Sequence, residues 1–190
     1  MINSPKLETK KLMIKLLSLE HTPEIPSYYS RNKSFHAATD PKRPIDFYTL
    51  LHQEKSILQA LDEYETGKSV KLVITYKDVP TEVIGSISLS QIFRGPFQAC
   101  FLGFSLDETA QKKGLMFEAL TSIIAYAFDE LNLHRIMANH LIENRRSESL
   151  LKRLGFSVEG KANEYLFIAG AWRDHVLTSL INSNWKDTAP

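Results

Sequence analysis

The chain is short of the features that would mark many protein classes at once. Its 190 residues hold one cysteine, Cys100, so no disulfide can close within the chain and a disulfide-stapled secreted scaffold is excluded. No apolar run approaches the ~18 residues that a membrane helix needs, and the opening Met1-Ile-Asn-Ser-Pro-Lys-Leu-Glu8 lacks the apolar centre of a secretion signal. The expected location is therefore the cytoplasm. Lysine and arginine (23) nearly cancel aspartate and glutamate (22), and a net charge of +1 argues against a generally basic nucleic-acid binder while leaving a local basic patch open. His134 and His140 have no cysteine or carboxylate cluster at ligand spacing, which argues against a metal site. Repeats and low-complexity segments are missing, which excludes solenoids and linkers. Neither Gly-x-x-x-x-Gly-Lys-Ser/Thr nor Gly-x-Gly-x-x-Gly occurs, and two familiar phosphate loops go with them.

What is present is organised around Ala99 to Leu131. Ala99–Leu106 is apolar on both alternating faces, with Cys100, Leu102, Phe104 and Leu106 on one and Ala99, Phe101 and Gly103 on the other. That pattern predicts a central strand covered on both sides, where a cysteine behaves as a small core residue rather than a nucleophile. From Phe117 the apolar positions Phe117, Leu120, Ile124, Ala127, Phe128 and Leu131 step by three and four, which predicts a helix with one buried stripe. Between strand and helix lies a polar loop ending in Lys112, Lys113 and Gly114. A helix start presents unpartnered N–H groups at the positive end of the aligned peptide dipoles, so an anion docks there. Gly114 permits backbone that a larger residue would block, and the two lysines add charge. The loop suits a pyrophosphate; it equally suits an ordinary strand-to-helix turn with solvated lysines. Glu118, in the first helical turn, favours the dipole and needs no other role.

In chain order, 1–10 reads as a frayed lead-in and Lys11 to Leu17 as a first strand. Thr22-Pro23-Glu24 starts a helix, and Pro26 with the polar run Ser30 to Pro44 predicts that it is short and followed by a long loop. Ile45 to about Tyr64 is a second helix, buried through residues such as Phe47, Leu50 and Leu61, with Asp62-Glu-Tyr-Glu65 on its surface. Val70–Tyr76, Val83–Phe93 and Ala99–Leu106 are strands joined by short turns, hence antiparallel neighbours. His134 to His140 is a strand, Arg145 to Leu154 a helix ended by Gly155, and Phe156 onward strand again, closing in a hairpin turned at Gly170. Packing and turn formation account for Trp172, Asp174 and His175. The fold class is α/β (α+β), a mixed, mostly antiparallel central sheet flanked by helices, in a single domain over 1–190 with its core at about 7–185.

Two blocks carry a family resemblance. Gln111-Lys-Lys-Gly114-Leu-Met116 resembles the Gln/Arg-x-x-Gly-x-Gly/Ala segment of the GNAT superfamily of N-acetyltransferases. Asn144-Arg-Arg-Ser147, followed by Leu154-Gly155-Phe156, resembles the Asn-x-x-Ser and Leu-Gly-Phe block after that superfamily's fifth strand. Leu7-Glu-Thr-Lys-Lys-Leu12, Arg94-Gly-Pro-Phe-Gln-Ala-Cys100, His134-Arg-Ile-Met-Ala-Asn139 and Trp172-Arg-Asp-His175 narrow the likeness to the RimJ/RimL branch, and within it to enzymes acetylating the N-terminal alanine of a small-subunit ribosomal protein. The resemblance spans about Leu7 to Trp185. It implies the acyl-CoA N-acyltransferase fold, acetyl-CoA as cosubstrate without a metal, and direct attack in a ternary complex. It implies cofactor contacts from Phe104, Ser105, Leu106, Gln111, Lys112, Lys113, Gly114, Leu115, Met116 and Asn144, with Ser147 as proton donor near the sulfur and Glu164 as base.

These roles make physical sense. An α-amino group has a pKa of ~8, so a modest base suffices. Glu164 interrupts an apolar segment, where burial would raise its pKa toward a useful value, unless it is an exposed acid on an edge strand. Asn144 and Ser147 also suit a helix cap, a role compatible with cofactor contact, and Arg145 and Arg146 read as a solvated face. Two other functions fit the same resemblance: an enzyme acetylating a small amine such as an antibiotic or polyamine, which calls for an acidic groove, and a ribosome-associated binding protein without useful catalysis. The expected partner is a protein N-terminus, with ribosome association, no sequence-specific nucleic-acid contact and no membrane. The apolar stripes are of a size that fills a monomer's own core.

Overall fold

A computed structural model describes residues 5–187. Among the described residues, nine strands form one sheet: β1 (Lys6–Glu8), β2 (Leu12–Leu16), β3 (Val70–Tyr76), β4 (Val83–Phe93), β5 (Ala99–Leu106), β6 (Arg135–Met137), β7 (His140–Leu141), β8 (Ser157–Ile168) and β9 (Ala171–Ile181). The order β1-β2-β3-β4-β5-β6-β9-β7, with β8 on β9, is antiparallel throughout except between β5 and β6. That exception follows from the connection, because α4 (Leu115–Asp129) crosses over between them and returns the chain in the same direction. Five helices among the described residues flank the sheet: α1 (Glu24–Arg31), α2 (Lys33–His36), α3 (Leu50–Glu65), α4 and α5 (Arg145–Arg153). None of them is long and apolar enough to cross a membrane.

Alternation along the strands divides the core. Leu12, Ile14, Leu72, Ile74, Ile87 and Leu89 pack with Ala119, Leu120 and Ile123 of α4 in one cluster that Leu151 of α5 joins. Val73, between Leu72 and Ile74 and so on the opposite face, meets Ile25 and Tyr28 of α1 together with Val83. Cys100 is fully buried in the first cluster, as its strand pattern predicts.

The structure departs from the sequence expectations at several points, among them the side that α3 buries: Leu50, Leu51 and Leu58 are exposed, while Gln53, Ile57 and Ala60 are buried. The lead-in is not wholly frayed: Lys6–Glu8 pairs with Met13–Lys15 as an edge strand. The stretch expected as a loop from Ser30 carries the end of α1 and all of α2, because Pro26 falls in the first turn of α1, where its missing N–H costs nothing, and buried Asn32 then bonds to the Tyr28 carbonyl. The second helix is divided at Thr49, whose hydroxyl caps α3 by accepting from the His52 N–H after a separate 3-10 turn over Ile45–Tyr48. The strand expected over 134–140 is interrupted at Ala138 and Asn139, where the Ala138 N–H donates to Thr178 and the chain turns toward β9.

Candidate active site

The interruption after β6 opens the site. β5 and β6 pair only through Ala99–Phe101 and Arg135–Met137, after which the chain leaves β6 for β7, which pairs with β9, while β5 runs on to Leu106 with β4 alone beside it. The Asp107 N–H bonds to Ile84 of β4, so by strand alternation the N–H groups of Phe104 and Leu106 face the open edge. The Leu106 carbonyl points the same way, since it accepts from Gln111 Nε2 at 2.9 Å.

A cleft of about 480 Å³ lies along this edge. One wall is Phe104, Ser105 and Leu106; a second is Gln111, Lys112, Gly114, Leu115 and Met116; a third, from α5, includes Asn144, Arg146 and Ser147. Thus the structure brings together every residue the sequence nominated except Lys113 and Glu164, which do not line the cleft. Their means of contact differ from one another. Leu115 and Met116 are buried in the core, and little of either is open to the cleft. Gln111 spends its amide on the Leu106 carbonyl and thereby fixes the loop to the end of β5. Lys112 (φ 61°) and Gly114 (φ 76°) both take left-handed backbone, and no side chain caps α4, leaving its first N–H groups to the cleft. Asn144 caps α5, its Oδ1 accepting from the Ser147 N–H at 3.2 Å, as the helix-cap reading expects.

Glu164 requires a correction. It is exposed rather than buried, and it sits at φ 46° on a bulge of β8, where its N–H donates to Asp174 Oδ1. The apolar residues around it belong to a two-stranded hairpin whose outer face stays in solvent: Leu166, Phe167 and Trp172 are all about half exposed. Glu118 also does more than favour a dipole, since Oε1 accepts from Thr9 Oγ1 and the Lys11 N–H and so holds the β1–β2 turn against α4.

Three features escape the local sequence pattern. Phe35, His36 and Thr39 of the α2 region form a further wall of the cleft, and Arg146 of α5 stacks over the Phe35 ring at 4.7 Å, so the α2 and α5 walls meet. Asp107, buried at the end of β5, accepts from Arg31 Nε (2.6 Å), Asn32 Nδ2 (3.1 Å) and the Thr109 N–H and hydroxyl. Burial pushes its carboxyl upward, but these hydrogen bonds outweigh that and hold it well below the usual carboxylate range. Tyr28, fully buried, meets Ser105 Oγ at 2.8 Å, and Ser105 meets Ser86 at 2.9 Å. Only Asp107 leaves a sequence signal, as an acid opening the turn after a strand. The described residues that line the cleft include Lys112, Arg145, Arg146 and Arg153 and no carboxylate. Nor do any three His, Cys, Asp or Glu among the described residues gather where they could share a metal ion.

A paired strand that splays beside an uncapped helix start, with cations on the walls, suits an extended ligand carrying phosphates at one end. Known proteins are similar to this chain in sequence and fold. The acetyltransferase (GNAT) domain matches residues 11–157. The [ribosomal protein uS5]-alanine N-acetyltransferase of Escherichia coli is 38% identical over 185 residues, 96% of this chain and 95% of that one. The crystal structure of ribosomal-protein-S5-alanine acetyltransferase from Vibrio fischeri superposes with a TM-score of 0.91 at 37% identity, covering 96% of this chain and 99% of that one. RimJ from Mycobacterium smegmatis, solved with CoA-disulfide, shares the fold with a TM-score of 0.86 at 20% identity, over 93% of this chain and 86% of that one. With its domain matched and its full-length relatives this similar, the chain belongs to the GNAT family of acetyltransferases.

Proposed function

We propose that this protein moves an acetyl group from acetyl-CoA to the N-terminal α-amino group of a small-subunit ribosomal protein that begins with alanine. The observation that carries the reading is the cleft: an open strand edge, an uncapped helix start and four cationic side chains on one continuous surface. The chemistry of that donor set fits the cosubstrate. The α4 start and Lys112 beside it suit a diphosphate, and the N–H groups of Phe104 and Leu106 suit the amide and thioester oxygens of an extended arm. Ser147 presents a hydroxyl to the same cleft and can donate toward a departing sulfur. The acceptor identity follows the Escherichia coli relative, whose name specifies the alanine of uS5.

Direct transfer is favoured over an acyl-cysteine intermediate. The sole cysteine, Cys100, is fully buried in the paired half of β5, and burial pushes its thiol up to about 12, so thiolate is scarce at neutral pH. The absence of carboxylates from the described cleft-lining residues argues against a polyamine acceptor, because the acidic cluster Asp62 to Glu65 lies on α3 and outside that lining. Incubation with acetyl-CoA and synthetic peptides differing in their first residue, read by mass spectrometry, tests the reading. An acetyl mass gain on the α-amine of the alanine peptide supports it; gain on polyamines alone, or none, refutes it.

A further inference from the structure

We propose that His36 is the catalytic base of this site, receiving the proton that the acceptor ammonium gives up before its nitrogen attacks the acetyl carbon. The inference rests on the acetyl-transfer reading above and adds a residue to it.

The choice comes from what the cleft contains. An amine that arrives protonated needs a group on the cleft surface with a free lone pair at neutral pH. Among the described lining residues, Lys112, Arg145, Arg146 and Arg153 are cations, the Ser, Thr, Asn and Gln side chains are too weakly basic, and there is no Asp, Glu, Tyr or Cys. His36 remains. Its Nε2 is enclosed in the free protein and has no hydrogen-bond partner there, so with the ring proton on Nδ1 its lone pair is uncommitted, and the half-buried ring must turn to present it to the cleft. Its place is also suitable. Phe35, the neighbouring residue, lies under the Arg146 guanidinium at 4.7 Å, and Ser147 follows Arg146. His36 and Ser147 therefore lie beside the stacked pair that joins two walls of the cleft, which places a proton acceptor and a proton donor on the lining of the same cleft. Glu164, the carboxylate suggested by resemblance, is exposed on a bulge and outside the lining.

The protonation state agrees. Burial holds the imidazole below its ordinary value; Asp40 and Asp107 pull it upward, and Arg146 and Arg43 push it down again. These are the charged groups that face it, and the net result is a neutral ring at pH 7. In the step, an ammonium N–H gives its proton to Nε2 and the freed nitrogen lone pair forms a bond to the acetyl carbonyl carbon. The C–S bond then breaks, and its electron pair leaves on sulfur, which takes a proton from the Ser147 hydroxyl. Ser147 is refilled by the second proton of the attacking nitrogen, and the imidazolium releases its proton to water. The products are the N-acetyl peptide and free thiol.

The test is the pH dependence of kcat/KM for an alanine-leading peptide, with acetyl-CoA affinity measured by calorimetry on the same samples. With a base present whose pKa burial lowers, the bound ammonium form is used, so the wild-type profile stays level from the amine's ~8 down past the ordinary imidazole value of ~6.5. Without it, only neutral amine reacts, and His36→Gln should fall about tenfold behind wild type at pH 7, about a hundredfold at pH 6, and rejoin it near pH 9. Acetyl-CoA affinity should stay within twofold, and added imidazole should restore His36→Ala at pH 7. A wild-type profile in His36→Gln overturns the proposal, as does a uniform loss at all pH values without imidazole rescue. A lost acid limb in Glu164→Gln alongside an intact one in His36→Gln returns the role to Glu164. If the wild-type enzyme transfers nothing to the peptide, the acetyl-transfer reading itself fails and this proposal falls with it.

Discussion

At the scale of single residues, Asp107 does the most positioning. Four hydrogen bonds converge on its carboxylate, from a helix on one side and from the turn that leads into the Gln111 loop on the other. The Arg31 guanidinium also reaches the Val83 carbonyl, so α1, β4 and the end of β5 are tied at one point. Replacing Asp107 with Asn removes the charge from the Arg31 contact and should cost about 2 kcal/mol, a value kept modest because Arg31 is one-third exposed. For a chain of this length that is a melting point lower by about 4–8 °C, readable by scanning calorimetry. The pH dependence has a definite sign. The folded-state pKa lies below the unfolded value of ~3.9, so this stabilisation is complete above about pH 5 and is lost as pH falls through ~4 toward the folded value. Urea titrations between neutral pH and pH 3 should show that loss in the wild type and a flatter profile in Asp107→Asn. Cys100 makes the opposite prediction about reactivity. With its thiol buried and raised, it should resist iodoacetamide at pH 7.5 in the native protein and react once urea unfolds it, while Cys100→Ala keeps acetyl transfer.

At the scale of elements, two helix starts frame the cleft, and they are built differently. α5 has its own cap in Asn144, so Asn144→Ala should cost about 1 kcal/mol, a fall of roughly 2–4 °C by thermal melt, from the orphaned Ser147 N–H alone. α4 has none and opens from left-handed Gly114. A methyl at that position meets no atom within 4 Å, so Gly114→Ala carries no clash, and its cost is the ~1 kcal/mol of placing alanine in left-handed backbone. If the α4 start binds the diphosphate, the same change weakens acetyl-CoA several-fold by calorimetry as the loop relaxes. Unaltered affinity would show that the loop geometry does not matter to the ligand. The Asn144 cap and the permissive backbone at Gly114 were legible beforehand, because an asparagine or a glycine at a helix start acts through its own backbone neighbourhood. The break between β6 and β7 was not, since it depends on Ala138 finding Thr178, forty residues on, rather than continuing beside β5.

At the scale of the whole molecule, ligand binding should be visible as stability. A ligand that binds only the folded state adds RT ln(1 + [L]/Kd), about 2.7 kcal/mol at a hundredfold excess over Kd, so acetyl-CoA should raise the melting point by roughly 5–10 °C. Because the facing side chains are cations at a solvent-open cleft, the rise should shrink as salt is added, whereas an apolar ligand site would not respond in this way. The sequence by itself determined the strand, loop and helix of Ala99–Leu131, the buried state of Cys100, the Asn144 cap and the two blocks that now line one cleft. Those features obey local rules, a period of two or of 3.6 and a cap at a fixed offset, which can be read from neighbours in the chain. The tertiary structure decided the rest: that β5 and β6 part after three residue pairs, that Arg31 meets Asp107 across 76 positions, that α2 brings His36 to the α5 wall, and that Glu164 faces solvent. No local period encodes those meetings, because each is set by which surfaces pack once the sheet has formed.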